Sequence, residues 1–343
     1  MDPMNTPSLK SRFRGALVGM YIGDALAMPV HWYYDRKALA KDYGTVKDYL
    51  RPRNPHPESE MWQQQFRPTG TRDRILHDQS RYWGKKGIHY HQFLKAGENT
   101  LNVRLCRLLI RSLKDKRAYD PQDYLGRLTT FMLNSGSHRD TYIDEYLRAF
   151  FKRYAEGIPL KECGIPEKHL SGLIGVLPIV IFYYHNPNQA RALAREHVAL
   201  THKGPLMETA ASLFIELLLS FFSGAGVTDT LKNLVSQKRH SLLKHPFFEL
   251  AALPDTEAVD GYLGTGCFVD ESFPVVVYLL IKYRKETEKA LIANTNLGGN
   301  NAARGAILGA LLGAANGLEA FPDRWVDGLL HPPEEIFPCE TAR

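Results

Sequence analysis

The sequence predicts an all-α protein built as a single domain, and three observations carry that expectation. Apolar residues recur with helical spacing through most of the 343 residues, and strand-like alternation is hard to find. Glycines also return at every fourth residue near both ends of the chain. No stretch is rich enough in Pro, Gly or Ser to divide the chain, and no short sequence period suggests a solenoid. One domain is therefore expected over 11–328, between a flexible N-terminus at 1–10 and a tail at 329–343.

The first predicted helix is Ser11–Met28, where Gly15, Gly19 and Gly23 form a stripe without side chains. The segment 48–92 follows, dense in Pro, Arg, His and aromatics such as Trp62, Tyr82, Trp83, His89, Tyr90 and His91. A loop this long in a compact domain is either functional or disordered, and its aromatic content argues against disorder. It reads either as a substrate lid or as a wrap over the helices. Helices are then predicted at Thr100–Lys114, Asp140–Glu156, His169–Tyr184, Asn188–Leu200, Pro205–Ser223, Val269–Tyr283, Lys285–Asn296 and Asn301–Asn316. The last carries Gly305, Gly309 and Gly313 and runs up to Gly317. Each glycine costs a helix roughly 1 kcal/mol against Ala, so seven in register need a packing reason. The expectation is two central helices, one from each end of the chain, meeting in one core.

Composition bounds the function. Hydrophobic residues at 44% and charged residues at 23% are ordinary for a soluble globular protein. A net charge of +6 suits an anionic small ligand but not the concentrated basic face of a nucleic-acid binder. Cys106, Cys163, Cys267 and Cys339 are widely separated and have no metal or redox spacing. With no signal segment visible at the N-terminus, a reducing, cytoplasmic setting is expected. The apolar runs Leu173–Tyr184, Ala210–Phe222 and Ala306–Ala315 fall short of the roughly 18 residues that cross a bilayer, so no membrane partner is expected. No Rossmann or P-loop glycine pattern is present.

Three polar motifs adjoin the glycine helices. The first is Gly23-Asp24-Ala25-Leu26-Ala27-Met28-Pro29-Val30-His31-Trp32, and the last runs from Asn294 through Gly298, Gly299, Asn300 and Asn301. Between them lies Gly97-Glu98-Asn99-Thr100, where Asn99 is placed to cap the following helix. Free N–H groups at such helix starts suit anionic ligands.

On these motifs the chain resembles the ADP-ribosylglycohydrolases, from about Arg12 to Trp325. The family's first motif is matched from Gly23 to Pro29, and the frame of its last motif from Asn296 to Gly317. Thr201, His202, Gly204 and Pro205 resemble a further family segment. His31–Asp35 looks closest to the branch that includes certain lens crystallins. The resemblance implies an orthogonal helical bundle of the ADP-ribosylglycohydrolase type. It also implies hydrolysis of a glycosidic bond in an ADP-ribosyl- or nucleoside-like small molecule. The alternative is a non-catalytic, ligand-binding or structural (crystallin-like) member. The oligomeric state is left open.

The departures bear on chemistry. Family members hold two Mg²⁺ ions between carboxylate motifs, and magnesium wants hard anionic oxygens in octahedral geometry. At the matching positions this chain has Gly97, Glu98 and Asn99, then Asn300, Ala302 and Ala303. One carboxylate stands where four would, so no resident cofactor is expected and at most a single weakly held Mg²⁺. Glu98 is the candidate catalytic acid/base, or the anion facing an oxocarbenium-like centre; its bland role is a helix-start carboxylate. His31, where the family has an acidic residue, is the second catalytic candidate, or else a partly buried structural histidine. Asp24, Asn99, Thr100, His202, Gly299, Asn300 and Asn301 are the expected substrate-binding residues. Asp24 can orient His31 or cap the local turn. Arg104, Arg107, Arg111 and Lys114 read as a solvated helix face.

Overall fold

A computed structural model describes residues 6–236 and 241–339. In chain order its helices are α1 (Leu9–Ala27), α2 (Arg36–Tyr43), α3 (Leu101–Lys116), α4 (Pro121–Leu133), α5 (Glu145–Ala155), α6 (Val176–Phe182), α7 (Pro187–Ala199) and α8 (Pro205–Phe222). They continue with α9 (Val227–Ser236), α10 (Phe247–Leu250), α11 (Asp255–Ala258), α12 (Val269–Lys282), α13 (Thr287–Asn296), α14 (Asn301–Asn316) and α15 (Asp323–Gly328). Among the described residues, the sheet is one parallel pair of two-residue strands, β1 (Ile165–Pro166) and β2 (His202–Lys203). The fold is all-α, as the periodicity predicts.

The two glycine helices form the central seam. A Cβ on Gly15 would meet the Gly313 carbonyl, one on Gly19 the Gly309 carbonyl and one on Gly23 the Gly305 carbonyl. The pairing order shows that α1 and α14 run antiparallel with backbone against backbone. Both are buried along nearly their whole length. Leu17, Met20, Ile22, Ile307, Leu308 and Leu311 on their other faces belong to the main core. α8, α12 and α13 pack around α14.

Local signals set many helix ends. Ser8 accepts the Ser11 N–H to start α1, two residues before the predicted start, so Leu9 and Lys10 are helical. Asp120 and Asn186 cap α4 and α7, each followed by a proline in the first turn. Some expectations are corrected. The helix expected from Asp140 starts only at Glu145, because Asp140 is drawn into contacts with His91 and Leu101. The helix expected over His169–Tyr184 is a 3₁₀ turn at Leu170–Leu173 followed by α6. α2, α4, α9, α10, α11 and α15 have no counterpart among the predicted helices.

The segment 48–92 is mostly irregular, with one 3₁₀ turn at His77–Tyr82. It wraps the ends of the glycine helices, burying His56, Met61, His89 and His91. The chain after Gly328 also packs: Leu329 and Ile336 are buried, and Cys339 N–H donates to the Phe182 carbonyl at 3.0 Å. Glu334 pairs with Arg111 and Lys114. The expected flexible residues 1–5 and the end of the tail, 340–343, lie outside the described residues. By length and composition α8 could cross a membrane, but more than half of it is buried inside the fold.

Candidate functional site

The start of α3 lies against α1, and the expected capping is reversed. Asn99 does not cap α3. Its amide donates instead to the Tyr21 carbonyl (2.8 Å) and to Asp24 (2.9 Å). The caps come from carboxylates distant in sequence. Asp24 accepts from Thr100 N–H (2.8 Å) and Thr100 Oγ1 (2.7 Å), and Asp140 accepts from Leu101 N–H (2.7 Å). Both anions thus answer the unpaired N–H groups of one helix end. Burial raises the Asp24 carboxyl to about 6, against the hydrogen bonds from Thr100 and Asn99 that favour its ionised form.

At the start of α14 the last motif is tied to the first. Trp32 N–H donates to the Gly299 carbonyl (2.9 Å), and Gly299 N–H donates to the Tyr33 carbonyl (2.7 Å). Gly299 needs its φ of +65° for this turn, with Thr265 packed where a side chain would stand. The Asn301 amide reaches the carbonyls of Val30 (3.2 Å) and Thr295 (2.9 Å).

A chain of side chains then joins the two groups. Asn300 Nδ2 donates to the Cys267 carbonyl at 3.2 Å, so its Oδ1 faces His31 Nε2, 3.0 Å away. His31 Nε2 must therefore carry the proton, which leaves Nδ1 bare in a neutral ring. His91 Nε2 lies 2.7 Å from that Nδ1 and must donate to it. His91 Nδ1 also donates to Asp140 at 2.5 Å. Hydrogen-bond bookkeeping makes His31 neutral and His91 an imidazolium paired with Asp140. The electrostatics agree. Burial, with His91 beside it, pushes His31 well below the ordinary histidine range. Burial opposes charge on His91 too, but Asp140 outweighs it and raises that group. His56 and His89 close the cluster through the carbonyls of His31 (3.1 Å) and Pro29 (3.0 Å).

The structure brings Asp24, Asn99 and Thr100 into one group and His31, Gly299, Asn300 and Asn301 into another, with Asp140 between them. Glu98 belongs to neither. Its buried carboxylate pairs with Arg139 (2.7 Å), lies 3.8 Å from Arg104, and accepts the Lys95 N–H (3.0 Å). Glu98 thus lies outside the shared site expected for it, held by two arginines. Arg104 is thereby part of a buried pair rather than of a solvated face. His31 is likewise held at both nitrogens. His202 sits apart, beside a small cavity of about 30 Å³, its ring tilted against Tyr146 and bonded to Thr201 Oγ1 (2.8 Å). Burial lowers it to about 3.

The donors at the motif positions do not suit two Mg²⁺ ions. Asp24 is committed to Thr100 and Asn99, Asp140 to Leu101 and His91, and Glu98 to arginine, while Ala302 and Ala303 offer no side-chain oxygen. Asn99 Oδ1 and Asn301 Oδ1 are buried without a partner, but they are neutral and bring no compensating charge.

An open cavity of about 160 Å³ adjoins this cluster, lined by Trp32, Tyr34, Glu58, Glu60, Gln64, Tyr90, Tyr142, His169 and Cys267. Trp32 is held at φ +65°, in the left-handed region, stacked on His31 at 4.1 Å between ring centres. Tyr90 and Tyr142 meet its indole edge-on at 4.4 and 5.0 Å. His169 also lines a neighbouring groove of about 480 Å³ with Lys168, Lys203 and the start of α8. A larger groove of about 750 Å³ along α7, α8 and α9 is lined by none of the motif residues.

Sequence reasoning did not single out His91, Asp140, Trp32, Tyr34, Tyr90, Tyr142, His169 or Cys267 as site residues. The one available signal was the run His89-Tyr90-His91, too polar and aromatic for a plain connector.

A family model described as ADP-ribosylglycohydrolase matches residues 5–340. An uncharacterized protein of Archaeoglobus fulgidus is 22% identical over 325 residues, covering 94% of this chain and 92% of its own. A solved structure described as an ADP-ribosylglycohydrolase-related protein complex superposes with a TM-score of 0.65 at 20% identity, over 94% of this chain and 93% of that one.

Proposed function

Because the chain belongs to the ADP-ribosylglycohydrolase family, we propose that it hydrolyses a glycosidic bond of an ADP-ribosyl- or nucleoside-like small molecule in the Trp32–Cys267 cavity, without the paired Mg²⁺. One observation carries the reading: the chain just after the first motif lines this cavity, and the last motif braces its wall from behind. Trp32 and Tyr34 continue the first motif into its wall, and Asn300 of the last motif holds the Cys267 backbone behind it.

The dimensions fit one ring. At about 30 Å³ of liquid per water, 160 Å³ holds about five waters' worth, the size of a sugar or base rather than a whole dinucleotide. The adjoining groove, with Lys168, Lys203 and the N-terminal turn of α8, suits the phosphates of the same molecule. In this reading His31 positions Trp32, and the buried cluster fills the place where metals would sit.

A second reading, a ligand-binding or structural member without turnover, is favoured by the sealing of Glu98 and His31 away from the cavity. The test is a melting-temperature screen of ADP-ribose, nucleosides and nucleotides, followed by chromatography of each binder after incubation with enzyme. A binder raises the melting temperature by mass action. Cleavage of a ribosyl compound supports the hydrolase; binding with no product supports the second reading.

A further inference from the structure

The cavity wall brings together two residues that no motif placed there, His169 and Cys267, and Glu167 of the neighbouring groove bonds the first of them. An antiparallel bridge pairs His169 with Phe268, and Leu170 N–H donates to the Cys267 carbonyl at 3.1 Å, so residues 168–170 lie alongside 267–269. The pairing sets Cys267 on the cavity wall beside the ring of His169. The His169 Nδ1 bonds Glu167 Oε1 at 2.7 Å. The Cys267 sulfur also receives Trp32 Nε1–H at 3.2 Å and lies 3.4 Å from the Tyr34 hydroxyl. Cys267 and His169 both line the open cavity, whereas Cys106 and Cys163 are buried.

We propose that Cys267, His169 and Glu167 form a nucleophilic site in which the Cys267 sulfur attacks a small electrophilic carbon held in the cavity. On the glycosidic reading above, on which this part rests, that carbon is the anomeric carbon of the ribosyl group.

The arrangement has the parts such a step needs: a nucleophile, an acid/base beside it, and a carboxylate that orients the acid/base. Burial disfavours charge on His169, but the neighbouring Cys267 and Glu167, with Asp144 nearby, outweigh it and raise the ring to about 10, so it is an imidazolium at neutral pH. The Cys267 sulfur lines the same cavity as this ring, takes the Trp32 N–H and has the Tyr34 hydroxyl within reach. Arg304 adds fixed positive charge nearby. It is fully buried, its Nη1 has no partner, and Tyr34 and Cys267 are the groups that favour its charged form.

The bonds balance with water as the sole co-reactant. The sulfur forms a bond to the anomeric carbon as the glycosidic bond breaks, its electron pair leaving with the departing group. His169 gives that group its proton. A water then attacks the same carbon and surrenders a proton to His169, and the carbon–sulfur bond breaks with its pair returning to sulfur. Two displacements at one carbon retain its configuration.

The test has two arms on the intact protein. In the first, iodoacetamide labelling near neutral pH is followed by peptide mass spectrometry. Cys267 is expected to label on the order of tenfold faster than Cys339, with that advantage lost in His169→Gln and Glu167→Gln. Equal rates in wild type, or variants that label as fast, overturn the activated thiol. In the second arm, a ribosyl compound that wild type cleaves is incubated with Cys267→Ala, and acid-quenched wild type is weighed intact. A rate loss of about 10²-fold or more, with a ribosyl adduct mapped to Cys267, is the expected result. Full turnover by Cys267→Ala overturns the nucleophile while leaving the glycosidic reading standing. If wild type cleaves nothing, the glycosidic reading falls, and the labelling rates alone decide for or against the activated thiol.

Discussion

Along the α1–α14 seam, backbone meets backbone with nothing between. One turn beyond its end, around Asp24, His31 and Asn300, the space between the same two parts of the chain is filled by polar side chains. The seam is held by close approach over Gly15, Gly19, Gly23, Gly305, Gly309 and Gly313. The junction is held by directional bonds, each needing its partner in one protonation state. The seam therefore tolerates no added atom and is indifferent to pH, whereas the junction depends on pH through its histidines. The family resemblance spans both, but only the junction decides what chemistry the protein can do.

The largest effect should come from the seam. Replacing Gly19 and Gly309 together with Val places two branched side chains on opposing carbonyls, where each overpacking alone costs about 1–3 kcal/mol or more. The double variant should give no folded protein by circular dichroism; a native-like melt would show that the helices can part.

The next effect is a pH dependence that the seam does not share, set by His56 at the junction and by two buried histidines away from it, His197 on α7 and His202. Burial lowers His56 to about 4 and His197 and His202 each to about 3, against about 6.5 in the unfolded chain. As pH falls, the unfolded chain takes up these protons first, so stability is lost below 6.5. Each histidine costs about 2 kcal/mol between pH 7 and 5. His91 and His169, both raised, act in the other window: their contribution is complete below 6.5 and is lost only as pH rises through their folded values. Asp24, raised to about 6, protonates in the fold before the unfolded chain does and offsets about 1 kcal/mol of the loss in acid. Urea unfolding at pH 7 and pH 5 should differ by about 5 kcal/mol; a flat profile would mean that these histidines are not buried neutral.

How much of this was legible follows the same division. Gly15, Gly19 and Gly23 announce the seam because helical spacing is local and the second stripe repeats it. Of the motif residues expected around one pocket, the fold sets His31 beside Asn300, while Asn99 goes to Asp24 and Glu98 to Arg139. What fills the junction could not be read. His91 and Asp140 come from irregular segments whose path is set only by tertiary packing. Asp24, on α1, caps a helix that starts more than seventy residues later. Glu98 looked poised for catalysis because its arginine partners Arg104 and Arg139 lie on two other segments. Cys267 and His169 are far apart in sequence and meet only through the bridge at Phe268.

Glu98→Gln sharpens that point. With its carboxylate held by Arg139 and Arg104, the substitution should lower stability by about 2 kcal/mol, the scale of a charged hydrogen bond, and leave ligand binding and turnover intact. Loss of turnover with an unchanged melting temperature would return Glu98 to the chemistry.

The smallest effect is a control for the seam. Gly126 lies exposed inside α4 with nothing near its Cβ position, so Gly126→Ala should raise stability by about 0.5–1 kcal/mol in the same urea measurement. A destabilised variant would indicate that glycine's effect here is not about close approach.

The measurement closest to the central claim is the rate at which purified protein cleaves a ribosyl compound from the binding screen, read in EDTA and again in millimolar Mg²⁺. A junction already filled by Asp24, His31, His91, Asp140 and Asn300 predicts the same rate in both. Cleavage that vanishes in EDTA and returns with Mg²⁺ would contradict it.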